Sequence, residues 1–304
     1  MPQNRDDARV SVVGAMSADQ VLTLAGPVSG GTVNAVHRRP RFGGAARDIA
    51  VCLARLGIPV RLLSLVGDDD DGRALVAATA GAAVDVGLVQ KSLSLPTASL
   101  VAVERADGSL HAAYADMRIC AAMDRGFIQN RWLPISRSPL VVADAWLPGD
   151  SLTWLITGCR TGRLPLAIDA VSTATARHLP LALHGVSLLF CATDEARTLL
   201  GDELERDPAA MAAALRRRGA ARVVVAGTDT VACAGRNGTV ECQLGAAFAA
   251  GTFPRAAFLA GILQARLHRR PWRQSLAAGI EAAHTLGSER PADASPVTAP
   301  APSR

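Results

Sequence analysis

The chain has 304 residues, a formal net charge of +5, six cysteines and a hydrophobic content of 49%. That length suits one large layered domain or two smaller ones, and no uncharged apolar run reaches the ~18 residues of a membrane span. The arginines are scattered, clustering only at Arg216-Arg217-Arg218 and His268-Arg269-Arg270 at the ends of expected helices, and aromatics make up just 4%. Cations at helix ends complement the dipole, and bases would find little to stack on, so neither nucleic acid nor membrane is the expected partner. The cysteines, at 52, 120, 159, 191, 233 and 242, form no C-x-x-C pair and sit mostly among apolar or small residues. Reduced thiols in a cytoplasmic protein are expected, and MPQNRDDARV lacks the basic-then-apolar pattern of an export signal.

Residues 1–8 read as a polar tail. Val10-Ser11-Val12-Val13 reads as a first strand ending at Gly14. From Asp19 to Arg41 the pattern is short and turn-rich, with breakers at Gly26-Pro27 and Gly30-Gly31. The stretch Gly43 to Arg73 organises the rest. Two glycines permit a tight backbone approach. Ile49, Cys52, Leu53 and Leu56 then fall at i, i+3, i+4 and i+7, the spacing of one helical face, and Gly57 and Pro59 end that helix. Val60 to Val66 reads as one buried strand, and the last carboxylates of Asp68–Asp71 are placed to cap a helix starting near Gly72.

Ala98–Glu104, a turn at Asp107-Gly108 and Leu110–Tyr114 read as a hairpin. Together with the earlier excursion it predicts a small sheet apart from the main layers. Strands then alternate with helices: Leu140–Ala143, Ser151–Cys159, Leu166–Ile168, Leu188–Phe190, Asp194–Leu200, Pro208–Arg218 and Arg222–Ala226. An antiparallel pair is expected at Val231–Cys233 and Val240–Cys242, then helices Arg255–Leu267 and Trp272–Leu286. This alternation predicts a mainly parallel, three-layer α/β sheet. Ligands in such sheets lie beyond the carboxyl ends of strands, which points to Asp68, Asp144, Asp169 and Gly227. The tail from Ser288 is rich in Pro, Ala and Ser and reads as disordered.

Gly43-Gly44-Ala45-Ala46-Arg47-Asp48-Ile49-Ala50, Leu53-Ala54-Arg55-Leu56-Gly57 and Val66-Gly67-Asp68-Asp69 resemble the first signature of the ribokinase-like (PfkB) sugar kinases. The chain is most similar to their pseudouridine-kinase branch, on Ala115-Asp116-Met117-Arg118-Ile119, Asp169-Ala170-Val171-Ser172 and Ala282-Ala283-His284-Thr285-Leu286. The resemblance runs from about residue 10 to 287. It implies a single ribokinase-like domain over 9–287, a three-layer sandwich with a small β lid formed by about 19–42 and 96–118. It also implies a sugar or nucleoside ligand, ATP and Mg2+ as cofactors, and a homodimer through the lid in some members. Ser17, Asp19, Gly43, Gly44, Asp48 and Asp116 fall on the substrate side, with Asp19 as the grip on sugar hydroxyls. Asp48 replaces a family asparagine; it also reads as an ordinary polar residue of a first helical turn. Glu195, Gly227 and Arg255 fall on the nucleotide side. Glu195 matches a glutamate near the Mg–phosphate site, and equally reads as a charge favoured at a helix N-terminus.

The departures from the family pattern concentrate on the phosphate half. The family's D-T-x-G-A-G-D aligns with Ala250-Gly251-Thr252-Phe253-Pro254-Arg255-Ala256, so the position of the general base is Ala256. Pro254 brings no N–H, and Arg255 cannot act as a base because it stays protonated. Ala192 stands where the family has a strand-end asparagine. General-base assistance is worth ~10²–10⁴ in rate. The expected protein therefore keeps a sugar or nucleoside pocket with impaired transfer. The alternatives are an active kinase with Glu195 or Asp194 as base, and an unrelated α/β protein such as a dinucleotide binder. Against the last, Gly14-Ala15-Met16-Ser17-Ala18 is not a G-x-G-x-x-G.

Overall fold

Four consecutive buried residues, Val10–Val13, form β1, an interior strand of the main sheet. The computed structural model describes residues 9–201, 207–244 and 254–288. The chain next builds β2 (Ser17–Leu24), β3 (Val36–Gly43), α1 (Ala45–Arg55), β4 (Val60–Leu63), β5 (Leu65–Gly67) and α2 (Asp70–Gly81). The strands β6 (Val84–Asp85), β7 (Gln90–Ser92), β8 (Ser99–Glu104) and β9 (Leu110–Asp116) follow. A 3-10 turn over Arg118–Ala122 leads to α3 (Arg125–Gln129) and α4 (Trp132–Ser136). Regular alternation then begins: β10 (Val141–Asp144), α5 (Gly149–Thr161), β11 (Leu166–Asp169), α6 (Thr173–Ala176), β12 (Leu188–Ala192), α7 (Thr193–Leu200) and α8 (Pro208–Arg217). The chain continues through β13 (Val223–Ala226), β14 (Thr230–Gly235), β15 (Gly238–Gln243), α9 (Arg255–Leu267) and α10 (Trp272–Ser288).

The main sheet has nine strands in the order β15-β14-β13-β12-β11-β10-β1-β4-β6, parallel from β13 to β6 and antiparallel at β14 and β15. Because side chains alternate along a strand, its two faces feed two cores. Val12, Val142, Phe190 and Val224 pack with Ile49 and Leu53 of α1 and Phe258 and Ile262 of α9. Val13, Ala143, Ile168 and Val225 pack with Leu152 and Leu155 of α5 and Met211 and Leu215 of α8. Each leucine buried in this way contributes roughly 1.5–3 kcal/mol. The three-layer α/β sandwich is as expected.

A separate four-stranded sheet, β3-β2-β8-β9, is the lid the two excursions predict. Its first half departs from the sequence pattern: the turn-rich stretch holds two eight-residue strands, paired from Ser17↔Gly43 to Leu24↔Val36. Pro40 is tolerated there because β3 is an edge strand. The expected single strand Val60–Val66 is in fact two, broken at Ser64. Its hydroxyl donates to the Gly14 carbonyl at 2.6 Å, where β1 ends and β4 loses its partner. Beyond the break, β5 pairs with β7 in a two-stranded sheet of its own. Helix α2 is capped by Asp69 rather than by the later carboxylates: Asp69 Oδ1 accepts from Gly72 N–H at 2.8 Å and Oδ2 from Thr97 N–H at 2.8 Å. Asp69 thereby ties α2 to the root of β8. Four of the cysteines are buried and Cys52 and Cys242 are half-buried, all as free thiols; burial pushes the Cys52 thiol up to about 12. The tails at 1–8 and 289–304 lie outside the described residues, and no described helix is long and apolar enough to cross a membrane.

Candidate functional site

The parallel strands β1, β10, β11 and β12 end side by side, and three acidic groups gather there: Asp144, Asp169 and Glu195. Asp144 closes β10 and is fully buried. Its Oδ2 accepts from Ala15 N–H and from Ala46 N–H, both at 2.9 Å, and its Oδ1 from Trp146 N–H at 3.0 Å. One carboxylate thus joins the root of the lid to the first turn of α1. Gly14, at φ 149°, leaves room for it: a Cβ would sit 2.4 Å from the carboxylate. Burial pushes Asp144 up to about 7; the Ala15 and Ala46 N–H groups oppose that rise and neighbouring Asp169 adds to it.

Asp169 closes β11 and is 1% exposed. Its partner is Arg255, the first residue of α9. Arg255 Nε donates to Asp169 Oδ1 at 2.7 Å, and Nη1 and Nη2 donate to Glu195 Oε1 and Oε2 at 3.0 and 2.8 Å. The guanidinium lies 4.8 Å from the Phe190 ring centroid. Glu195 Oε2 also accepts from Ala192 N–H, so the glutamate caps α7 and binds Arg255 together. Burial alone would lower the Arg255 pKa, but Asp169 and Glu195 outweigh it, and the net shift is upward. Beside this cluster, Val171 sits at φ 65°, a strained conformation for a β-branched residue, with its N–H donated to Asp169 Oδ1 at 3.0 Å.

On the lid side, Asp19 is 8% exposed, and its Oδ1 accepts from Leu100 N–H of β8 at 3.1 Å. Burial raises the Asp19 pKa, against hydrogen bonding from Ser17 and the charge of Arg41. Gly43 and Gly44 have reasons within the chain: a Cβ on Gly43 would lie 2.2 Å from Asp19 Oδ2, and one on Gly44, at φ 101°, would lie 2.3 Å from Met16 Cα. Asp48 is bracketed by two arginines, with Arg41 Nη2 at 2.8 Å and Arg47 Nη1 at 3.1 Å, which occupies both of its oxygens. Asp116 is not brought to Asp19. The lid register runs Gln20↔Val101 and Leu100↔Ala115, which places Asp116, opposite Ser99, on the other face of the sheet. Arg118 grips Asp116 through two hydrogen bonds of 2.9 and 2.6 Å and holds its carboxyl down to about 2.

On the nucleotide side, Gly227 lies in the β13–β14 turn, its N–H donated to Thr230 O at 2.8 Å. Ala256 is the second residue of α9, after a Pro254 N-cap with no side-chain hydrogen bond. Residues 250–253 of the aligned segment lie outside the described residues. Arg255, on the nucleotide side by resemblance, turns its Nε and both Nη atoms to the two carboxylates. Sequence reasoning reached Asp144 and Asp169 as strand-end ligand positions without giving them a role, and it gave no role to Arg41 or Arg47.

The model of the pfkB family carbohydrate kinases matches residues 7–296. The chain belongs to the PfkB carbohydrate kinase family. Among characterised relatives of this PfkB chain, Escherichia coli pseudouridine kinase is 30% identical over 188 residues, which span 60% of this chain and 58% of that enzyme. A carbohydrate kinase from Agrobacterium tumefaciens superposes with a TM-score of 0.81 at 26% identity, covering 94% of this chain and 92% of its own. Arabidopsis thaliana ribokinase, solved with ribose and ATP, superposes at 0.73 and 15% identity, covering 93% and 94%. Membership of PfkB displaces the dinucleotide-binding alternative. The Mg2+ this family implies does not fit the residues present: Arg255 fills the space between Asp169 and Glu195, Ala192 offers no side-chain ligand, and among the described residues no three His, Cys, Asp or Glu side chains are arranged to hold a metal ion together.

Proposed function

We propose that this PfkB-family chain is a sugar- or nucleoside-binding protein of the pseudouridine-kinase type whose phosphoryl transfer is impaired. One observation carries the reading: the first turn of α9 offers Ala256, and Asp169 and Glu195, the acids gathered at the start of that helix, are both committed to its neighbour Arg255. Transfer to an alcohol needs an acceptor for the hydroxyl proton, and that acceptor is worth ~10²–10⁴ in rate. The ligand half supports binding. Asp19 remains on the lid, with Gly43 and Gly44 packed against it and its root, and a carboxylate accepts two hydroxyl donors of a sugar naturally. A homodimer through the lid belongs to the same reading. Val36 and Tyr114, 40% and 68% exposed, share one face of that sheet by register; sedimentation should show a dimer that Tyr114→Lys dissociates.

The active-kinase alternative needs Glu195 or Asp194 as base. Glu195 has both oxygens occupied, and exposed Asp194 pairs with Arg197 at 3.0 Å. The test is calorimetry with pseudouridine and ribose alongside an ATP-coupled transfer assay. Heat of binding without phosphorylated product is the expected result. Efficient turnover that Glu195→Gln abolishes would establish the alternative.

A further inference from the structure

Two carboxylate oxygens from different elements, Asp169 Oδ1 at the end of β11 and Glu195 Oε2 in α7, converge on a single nitrogen. That nitrogen is Arg255 Nη2, at 2.6 and 2.8 Å. The Phe190 ring lies against the guanidinium at 4.8 Å. Charge-assisted, forked hydrogen bonds of this kind fix the cation in position as well as neutralising it. A magnesium ion would need a near-octahedral shell of oxygens at about 2.0–2.1 Å and would keep several waters. Here the volume between the oxygens holds a planar cation, and an aromatic ring covers one side. The two acids are 1% and 6% exposed, so neither tolerates the loss of its counter-charge. A metal could take this seat only if Arg255 left it.

We propose that Arg255 is a resident cation standing in place of a divalent metal between Asp169 and Glu195, so that this protein binds its small-molecule ligand without Mg2+. The proposal deepens the functional reading above and rests on it. Two carboxylates against one guanidinium leave the cluster net negative. It is therefore a poor seat for a polyphosphate, and neither ATP nor Mg2+ strengthens ligand binding.

The test uses Mn2+ as a paramagnetic probe on the full chain with no nucleoside present. In electron paramagnetic resonance titrations the wild type leaves the free-ion signal unchanged. Arg255→Ala and Arg255→Ser each sequester Mn2+ stoichiometrically, and adding Glu195→Gln to either abolishes the uptake. Mn2+ binding by the wild type that disappears in Glu195→Gln overturns the proposal, as does a folded Arg255→Ala or Arg255→Ser chain that takes up none. If both variants fail to fold in metal-free buffer, recovery of native circular dichroism on adding Mn2+ supports the seat, and no recovery counts against it. In parallel, the pseudouridine Kd of the wild type in EDTA and in Mg2+ agrees within about twofold; a tenfold difference, about 1.4 kcal/mol, overturns metal-independent binding. Phosphoryl transfer by a wild type that binds no Mn2+ would remove the functional reading and leave the cation seat standing.

Discussion

Arg255 Nε donates to Asp169 Oδ1 across 2.7 Å, joining the first residue of α9 to the last residue of β11 over 86 positions of sequence. The same side chain reaches Glu195, so one guanidinium ties together the ends of β11, α7 and α9. Both carboxylates are nearly inaccessible, and each owes its charge balance to this residue. Removing Arg255 leaves two buried acids without a counter-charge. Arg255→Ala should therefore lose about 3–5 kcal/mol of unfolding free energy in urea denaturation without added metal. A loss below about 1 kcal/mol would mean that solvent reaches the acids and the cluster is not a closed one.

Asp144 makes stability depend on pH. Its folded pKa, about 7, lies above the ordinary 3.8, so the folded chain binds a proton that the unfolded chain releases between those values. This contribution is complete below about pH 4 and is lost as pH rises through about 7, with a slope of up to about 1.4 kcal/mol per unit. Asp144→Asn should flatten that slope while losing the acceptor for Trp146 N–H. Parallel denaturation series from pH 4 to 8 for the two proteins would expose the difference; identical slopes would place the titration elsewhere.

Two glycines at positive φ should respond differently to a methyl group. Gly57, at φ 78°, has nothing within 4 Å of a built Cβ, so Gly57→Ala should cost about 1–2 kcal/mol from backbone conformation alone. Gly44, at φ 101°, would drive its Cβ to 2.3 Å from Met16 Cα. Gly44→Ala should carry the conformational cost and, on top of it, displace the root of the lid. Thermal unfolding gives the stability difference and calorimetry the loss of ligand affinity. Equal costs at the two positions would contradict the close approach of α1 to the β1–β2 connection.

Restoring a carboxylate at the base position should not by itself restore a kinase. In Ala256→Asp the new acid stands next to Arg255, whose charge favours ionisation but whose guanidinium still fills the space between Asp169 and Glu195. Ala256→Asp should remain well below the ~10²–10⁴ gain of an effective general base, and Arg255→Gly combined with Ala256→Asp should be faster than Ala256→Asp alone. An initial-rate assay with ATP and pseudouridine reads this directly. Full activity from Ala256→Asp alone would show that Arg255 is no obstacle.

The sequence was most legible where the interactions are local. The apolar spacing of Ile49, Leu53 and Leu56 gave helix α1, and Asp107-Gly108 gave the β8–β9 hairpin, because helical faces and tight turns are decided within a few residues. The alternation after Leu140 likewise foretold the parallel sheet. The stretch from Asp19 to Arg41 was legible as part of a small separate sheet but not as two eight-residue strands, because β2 and β3 owe their length to pairing across the lid, not to their own pattern.

By itself, then, the sequence determined the layered architecture and the kinase family, since periodicity and signature residues are written along the chain. Only the tertiary structure decided where Ser64 divides an apolar run between two sheets, that Asp116 turns away from Asp19, and that Arg255 lies between Asp169 and Glu195. Each of these depends on which distant groups share a volume from which water is excluded. There a charge or hydroxyl must find a partner, whatever its separation in the chain.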